Sequence, residues 1–374
     1  MNNHGLIQYF HALILMNSIF NKNIVPTWIT LIFCCFQLSF CSFVVHAQNN
    51  KYIFDHLDAN DGFMTVFEDA IVQDHDGYIW LNTWEGLFRY DGFRFKPYKY
   101  LENDSIEMGS SALLSDQSGQ LWVGTHENGL LKYNKEHDRF VPQSLEVGGY
   151  SISYLINDSK GNIWIGTNGG GVKLIHSSGD SVQHFAFNDP NNSKSLRGEK
   201  VRCIYEDRTG TIWVGTGNRF ESMVMGGLNM YQAKQNSFTS FTYQPQQYNG
   251  IRPNRVSTIY ENTSGKLLIG TAPDGLFVFD PKKNDKWARG LPHSDGKADD
   301  ILGTGTIRFI HEHKATNTLW IGVFGKGIIQ MDLNNGNTHH ITPDPNDRFA
   351  LSHSHVWTIF EDRQGLLWLS LIHI

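Results

Sequence analysis

Histidine is the residue type in this sequence with the widest chemical range, because imidazole ligates metals and transfers protons near neutral pH. The chain has 17 histidines, and the close pairs are His311 with His313, His339 with His340, and His353 with His355. No cysteine or carboxylate recurs at ligand spacing around these pairs. No Gly-x-Ser-x-Gly, Cys–His or paired-carboxylate arrangement stands out either. The sequence therefore predicts no metal site, no cofactor and no catalytic residue.

The aspartates recur in a fixed phrase. An acidic or polar residue is followed by Gly three positions later, then by an apolar–Trp–apolar triplet and usually by Gly-Thr. The closest copies begin at Asp74, Asp116, Asp158 and Asp207. In such a turn Asp accepts backbone hydrogen bonds and Gly takes a positive φ, so we interpret these aspartates as turn formers and not as general bases.

Three looser copies extend the repeat to residue 368. The anchor positions are 80, 122, 164, 213, 268, 320 and 368, and this period is typical of propeller blades. In the second copy, strands are predicted at residues 111–114, 120–125, 130–133 and 139–142. Trp122 and Gly124 share a face there, which predicts that they interlock with the neighbouring blade. We therefore predict an all-β fold, a seven-bladed β-propeller of four-stranded antiparallel blades.

The two ends of the repeat predict how the ring closes. Residues 52–57 have the pattern of an outer strand without a blade, and the seventh copy stops inside its second strand. We expect this N-terminal strand to complete the last blade, which is incomplete in this chain and exposes an edge that favours aggregation, edge pairing or loose folding. Ser370 and Leu371 stand where Gly-Thr is expected, so a truncated gene and a non-native end are both open.

The N-terminal segment has the pattern of an export signal. Residues 29–45 are almost uncharged and end at Val45-His46-Ala47, which signal peptidase would accept. We predict a signal peptide over 1–47, with Met16 as an alternative start, and a propeller sensor domain over 48–374. An uncleaved membrane anchor and a lipoprotein signal ending at Cys41 are the alternatives. Three cysteines lie in this segment, and the remaining one, Cys203, is predicted to be a buried thiol.

Composition excludes some classes of protein. A chain of 374 residues with 40% hydrophobic content can bury a large core, so disorder is not expected. The net charge of -6 argues against nucleic acid as the partner of this region.

The repeated phrase resembles the two-component regulator propeller repeat. The resemblance covers residues 52–369 and is carried by residues 158–167 and 206–216 and by Gly-Leu-x-x-Tyr elements at 86–90, 129–133 and 227–231. It implies the periplasmic sensor region of a hybrid histidine kinase, which signals by conformational change to a kinase absent from this chain. It also implies an oligosaccharide or other small periplasmic ligand, a downstream helix in the inner membrane and dimerisation through downstream domains. The chain itself is predicted to have no kinase activity.

Ligand recognition is predicted on one rim of the propeller. Antiparallel order places the loops between second and third strands on the same rim as the segments that enter each first strand. Residues that vary between copies there are the binding candidates, because loops on a rigid scaffold commonly carry recognition. The candidates are Trp84, Glu85, His126, Asn168, Arg219, Phe220, Arg255, Asp274, Lys326 and His355. Arg252, Lys200, Arg202 and His353 would add donors to a basic mouth.

Two other functions are open at this point. A propeller lyase or hydrolase would use a histidine and an acid on the rim, for example His126 with Glu127, or His355. A protein-interaction propeller of the cell envelope would need no such chemistry.

Overall fold

A computed structural model describes residues 52–57, 67–83, 86–98, 100–101, 106–107, 109–143, 149–179, 181–187, 195–218, 226–241, 255–283, 287–291 and 294–371. All described strands lie in the compact unit Phe54–Ile374, and of the unit Met1–Ile53 only Tyr52 and Ile53 are described. The predicted signal peptide lies outside the described residues.

Six sheets of four antiparallel strands and two sheets of two strands make up the described fold. The first three blades contain β1 (Phe67–Gln73), β2 (Ile79–Thr83), β3 (Gly86–Tyr90) and β4 (Phe95–Tyr98); then β7 (Ser110–Ser115), β8 (Leu121–Thr125), β9 (Leu130–Asn134) and β10 (Arg139–Pro142); then β11 (Ile152–Asn157), β12 (Ile163–Thr167), β13 (Val172–Ile175) and β14 (Val182–Phe185). A small hairpin of β5 (Tyr100–Leu101) and β6 (Ile106–Glu107) lies between the first two blades in sequence.

The next three blades follow the same order. They contain β15 (Val201–Glu206), β16 (Ile212–Thr216), β17 (Gly227–Gln232) and β18 (Ser237–Phe241); then β19 (Val256–Glu261), β20 (Leu267–Thr271), β21 (Gly275–Phe279) and β22 (Trp287–Arg289); then β23 (Ile307–His313), β24 (Thr318–Val323), β25 (Gly327–Asp332) and β26 (Thr338–Ile341). A final pair joins β27 (Val356–Glu361) to β28 (Leu367–Leu371). One short helix, α1 (Asp299–Leu302), and two 3-10 turns at Pro281–Lys283 and Lys314–Thr316 complete the described elements.

The first strands of successive blades contact one another in a ring. The contacts run from β1 through β7, β11, β15, β19 and β23 to β27, and β27 contacts β1 in turn. These strands therefore surround the axis, and the later strands of each blade lie further out. This confirms an all-β propeller of four-stranded antiparallel blades.

The repeated turn is built as its sequence predicts. In the third blade, Asp158 Oδ1 accepts the amides of Lys160 at 3.0 Å and Asn162 at 2.8 Å, and Gly161 has φ of +81°. The second carboxylate oxygen accepts Trp164 Nε1 at 2.9 Å. The same Asp–Trp bond recurs at residues 74 and 80, 116 and 122, 207 and 213, and 362 and 368. These carboxylates therefore stabilise the repeated turns by accepting hydrogen bonds within them.

The glycine of the second strand makes room for the next blade. A Cβ built on Gly166 would lie 2.6 Å from Val201 Cγ1 on β15, and one built on Gly215 would lie 2.6 Å from Val256 Cγ1 on β19. Both distances are shorter than real Cβ contacts. The predicted interlocking of blades is thus a contact between this glycine and the first residue of the next first strand.

One predicted strand is wrong. Residues 52–57 form no strand, and Phe54 N instead donates to Phe349 O at 3.0 Å. His56 Nε2 lies 3.0 Å from Ala350 O. The physical reason is that an outer strand needs a third strand to pair with, and within the described residues β28 pairs with β27 alone. The segment lies instead against the loop that follows β26.

Candidate functional site

The two rims of the propeller have different backbone structure. We call the rim with the Asp-x-x-Gly turns the lower rim, and the opposite one, where first strands begin, the upper rim. On the upper rim, His126 N donates to Gly109 O at 2.9 Å and Asn168 N donates to Ser151 O at 2.8 Å. Equivalent bonds join Ala272 to Arg255 and Phe324 to Thr306. The loops that carry the predicted site are thus tied to the first strands.

Each first strand has a β-bulge near its upper end. The pairing of β19 with β20, for example, shifts between Val256 and Thr258. The extra residues in the blades from the second onwards are Ser111, Ser153, Arg202, Ser257, Arg308 and Trp357. We call this set the bulge ring. Bulges redirect side chains and are common beside functional sites.

The serines of the bulge ring join neighbouring blades. Ser153 Oγ donates to Val201 O at 2.8 Å, and Ser257 Oγ donates to Ile307 O at 2.6 Å. Ser111 Oγ donates to Ile152 O at 2.5 Å. These three serines therefore join neighbouring blades, and the larger side chains Arg202, Arg308 and Trp357 occupy the bulge position at three other junctions.

Aromatic and imidazole rings gather at the junction of β23 and β27. The Phe324 and His355 ring centroids are 4.7 Å apart, and those of His353 and His355 are 4.6 Å apart. The Trp357 and Phe324 ring centroids are 5.7 Å apart, and the Arg308 guanidinium carbon lies 3.5 Å from the centroid of the Trp357 ring. We call these five residues the aromatic–histidine cluster.

The structure divides the predicted site residues into separate groups. Lys326 lies beside this cluster, because its Nζ donates to Thr304 O at 2.7 Å and a Cβ on the neighbouring Gly325 would lie 3.7 Å from His355 Nε2. Asp274 bridges to Gly305 on the same side of the ring. Trp84, Glu85, Arg219, Phe220 and Arg252 lie outside the described residues.

The other candidates lie elsewhere on the upper rim. His126 Nδ1 is 3.0 Å from Ser151 Oγ, Asn168 bridges to Lys200, and Arg202 Nε donates to Gly217 O at 3.0 Å. Desolvation of its ring lowers the pKa of His126, and the opposing charge of Glu127 is the smaller effect. Desolvation therefore favours the neutral form of this imidazole. The basic mouth stays a prediction.

Two features of the upper rim were missed from the sequence. The Tyr150 ring is 47% exposed and lies against Gly169 and Gly170, where a Cβ on Gly169 would meet Tyr150 Cδ1 at 3.2 Å. The triplet of glycines at 169–171 just after a second strand was a possible signal for this close approach. Arg308 and Trp357 were missed as site residues. Their bulge position is recognisable only when the copies of the repeat are aligned, so that these two residues fall at the position where other copies have serine.

Histidine pairs have structural partners in two cases. His311 Nε2 lies 2.8 Å from Glu361 Oε2, and His313 Nε2 lies 3.8 Å from Glu361 Oε1. His340 Nε2 lies 2.6 Å from Lys326 O. Among the described residues no group of three or more His, Cys, Asp or Glu side chains is placed to hold a metal ion. The Cys203 thiol is buried as predicted, and burial raises its pKa to about 12.

The fold and the repeated Asp–Trp turn define a β-propeller of a specific repeat type. Residues 147–169, 195–218 and 350–372 match the two-component regulator propeller model. These three segments of the chain are therefore repeats of the two-component regulator propeller type. No helix in the described part of the chain has the length and apolar character needed to cross a membrane.

Known relatives include a curated kinase and two solved propellers. Histidine kinase P4 of Formosa agariphila is 32% identical over 253 residues, which is 66% of this chain but 18% of that protein. Extracellular domains of two proteins from B. thetaiotaomicron, described as hybrid two-component systems, are 21% and 23% identical. Each has a TM-score of 0.67 and covers 86% of this chain, which spans 39% and 40% of the solved chains. This likeness shows the fold.

Proposed function

We propose that this chain is the ligand-sensing region of a hybrid two-component sensor histidine kinase and that it works outside the cytoplasm. The family of its repeats, the curated histidine kinase and the extracellular origin of the structural neighbours support this proposal. The segment 1–47 would direct export, and a downstream helix would anchor the protein. The chain spans 18% of the curated relative, and in this proposal the kinase and the dimer contacts would belong to a further part of the protein.

The ring in this proposal has seven blades. The β27–β28 pair packs on the first blade, where Phe360 and Trp368 contact the cluster of Ile71, Ile79, Leu81 and Phe88. Contact between β27 and β1 closes the circle of first strands. These contacts support the proposal that the pair is part of a seventh blade between the sixth and the first.

The proposed ligand is an oligosaccharide bound on the upper rim. The observation that carries this is the combination of rings and donors there: the exposed Tyr150 on one side and the aromatic–histidine cluster with Lys326 on another. Sugar rings present apolar faces that stack on aromatic side chains, and their hydroxyls pair with polar side chains. No covalent step is required. Ligand binding would favour one arrangement of the protein over another and so change the state of the kinase.

The test is glycan binding by the purified chain, measured by calorimetry against a panel of plant and algal oligosaccharides. We expect Tyr150→Ser and His355→Ala each to weaken binding about five-fold to ten-fold, because each removes a ring contact. Phe93→Ser is the matched control, since Phe93 is 89% exposed on the lower rim. Equal effects of the control and the two site variants would contradict an upper-rim site.

A second measurement separates sensing from catalysis. The full-length gene product in membranes should change its autophosphorylation when the bound glycan is added, and the glycan should be recovered intact. Recovery of cleaved glycan that depends on His126 or His355 would instead establish the lyase or hydrolase alternative.

A further inference from the structure

A cleft of about 750 Å³ lies between the third and fourth blades on the lower rim. Its walls come from the Asp158 turn and His176 of one blade and from Tyr231 and the turn after β17 of the other. This volume is in the range of small-molecule sites, which is about 300–1,000 Å³. The cleft is on the rim opposite the site proposed above.

The equivalent space between the first and second blades is filled by a cluster of charged side chains. Asp138 accepts hydrogen bonds from Tyr98 and Tyr133, both at 2.5 Å, and it also pairs with Lys96 and, at 3.3 Å, with Arg89. These side chains occupy the space between β3, β4 and the hairpin of β9 and β10. Asp138 pairs with both cations and so offsets part of their positive charge within the junction.

Strand register identifies which residues at the cleft between the third and fourth blades are equivalent to the members of this cluster. Arg89 is paired across the strands with Trp80, and Leu174 with Trp164. By the same comparison, Lys96 corresponds to Gln183, Tyr98 to Phe185 and Tyr133 to Tyr231. Asp138, with φ of 49°, corresponds to Asn236, with φ of 50°. Two cations, one carboxylate and one hydroxyl are therefore replaced by neutral side chains, and space is left between the blades.

Positive charge at the edge of this cleft is not neutralised in the same way. In the first junction Asp76 forms an ion pair with Lys135 at 2.7 Å. The corresponding residues are Lys160, two positions after the turn aspartate, and Ala233, two positions after Tyr231. Glu136 likewise corresponds to Lys234. Lys160 and Lys234 both line the cleft, both are exposed, and within the described part of the chain neither forms an ion pair.

The carboxylate in the lining forms no ion pair with either lysine within the described part of the chain, and its hydrogen bonds are made within its own blade. Asp158 is buried, and its oxygens accept four hydrogen bonds, from the Lys160 and Asn162 amides, Asn162 Nδ2 and Trp164 Nε1. Tyr231, Gln232, Gln235 and His176 supply further polar groups to the walls. The cleft thus combines two ammonium groups with uncharged hydrogen-bonding side chains.

We propose that this cleft binds a small anionic ligand, of the size of one or two sugar units, whose carboxylate or sulfate ester pairs with Lys160 and Lys234. The uncharged side chains of the walls would take its hydroxyl groups. This site is independent of the upper-rim site, so the failure of either proposal leaves the other standing.

The test is calorimetry of the purified chain with digalacturonate, lactose sulfate and lactose. We expect at least one anionic disaccharide to bind about ten-fold or more tightly than lactose, and Lys160→Ala and Lys234→Ala each to weaken that binding about ten-fold. The stronger of the two anionic probes identifies the ligand as a carboxylate or a sulfate ester. Binding should also weaken as salt is raised, because both lysines are exposed.

A control variant and a further charge variant test whether the effect is specific. Lys283→Ala removes an exposed lysine from the corresponding hairpin of the fifth blade and should leave the affinity unchanged. Asn236→Asp adds a negative charge without changing shape, and Tyr231 can still donate to residue 236 as it does at 2.9 Å; this variant should weaken binding as much as either lysine variant. The proposal is overturned if neither anion binds, if lactose binds as tightly, or if the lysine variants behave like Lys283→Ala.

Discussion

The backbone amide of Arg363 donates to Oε1 of Gln73 at 3.0 Å, although the two residues are 290 positions apart in sequence. The Arg363 side chain adds bonds to His75 O at 3.0 Å and Asp74 O at 2.6 Å. This contact joins the last described turn to the first blade without any shared strand.

The same bond recurs between consecutive blades. Its donor is the residue after the turn aspartate, and its acceptor is the last residue of the next first strand. The other pairs are Gln117 with Asn157 at 3.1 Å, Ser159 with Glu206 at 2.7 Å, and Arg208 with Glu261 at 2.7 Å. Arg363 and Gln73 therefore close the ring with the same bond that joins three other pairs of neighbouring blades.

Gln73→Ala should weaken the contact between the last described turn and the first blade. It removes the acceptor for Arg363 and the donor to Gly77 O, so we expect a loss of about 1–2 kcal/mol in the free energy of unfolding. Gln73→Glu should restore most of the loss at the ring junction, because glutamate takes this position in β15 and β19. Denaturant unfolding measures the stability, and hydrogen exchange of β27 and β28 reports the junction. Unchanged exchange in Gln73→Ala would contradict the role of this bond; exposed Gln364→Ala is the control.

Gly166→Ala should force the third and fourth blades apart. The new methyl group would lie 2.6 Å from Val201 Cγ1, so overpacking should cost about 1–3 kcal/mol. Gly149→Ala is the matched control, because nothing lies within 4 Å of a Cβ there. Thermal unfolding of both variants decides the matter, and equal melting temperatures would show that the blades do not interlock at this glycine.

The pattern of the chain predicted the blade plan but not the grouping of side chains. In the second blade the predicted outer strand at 139–142 coincides with Arg139–Pro142, and the predicted strand at 111–114 is extended to Ser110–Ser115. These strands follow from local turn chemistry and alternation, which sequence displays directly. Strand 52–57 was wrong because an outer strand depends on a distant partner. The aromatic–histidine cluster was missed in part because a bulge redirects Trp357, and periodicity does not reveal which residue is extra.

The stability lost when a turn residue is replaced should depend on the hydrogen bonds that its side chain accepts. Asp207 accepts two turn amides and Trp213 Nε1, whereas Asn262 accepts the Ser264 and Lys266 amides and its blade has Leu268 in place of tryptophan. Asp207→Ala should therefore destabilise the chain more than Asn262→Ala, by about 1–3 kcal/mol for the buried indole left without an acceptor. Chemical denaturation of the two variants provides the comparison. Equal losses would show that the tryptophan bond adds nothing.

Asp138 should give the protein a measurable acid sensitivity. Burial alone would raise its pKa, but the hydrogen bonds from Lys96, Tyr133 and Tyr98 and the charge of Arg89 outweigh this and lower the pKa to about 2 from 3.8. A carboxyl whose pKa is lower in the folded state stabilises the fold fully above its unfolded pKa. That contribution is lost as the pH falls from about 4 to about 2.

Asp138→Asn tests this linkage without a change of shape, since Asn236 has the same backbone conformation. At pH 7 we expect the variant to be less stable by about 1 kcal/mol, a value that allows for screening of a carboxyl that is 37% exposed. The difference should shrink as the pH is lowered from 4 towards 2. A difference that stays constant over this range would show that the charge of Asp138 is not the cause.

The bulge ring is not uniform around the circumference of the propeller. Serine hydroxyls fasten the second blade to the third, the third to the fourth and the fifth to the sixth. At three other junctions the extra residue is Arg202, Arg308 or Trp357, each of which has a larger side chain without a hydroxyl. One bulge position therefore provides both cohesion and variability: a serine hydroxyl there fastens neighbouring blades in three places, and the same position places Arg308 and Trp357 in the aromatic–histidine cluster.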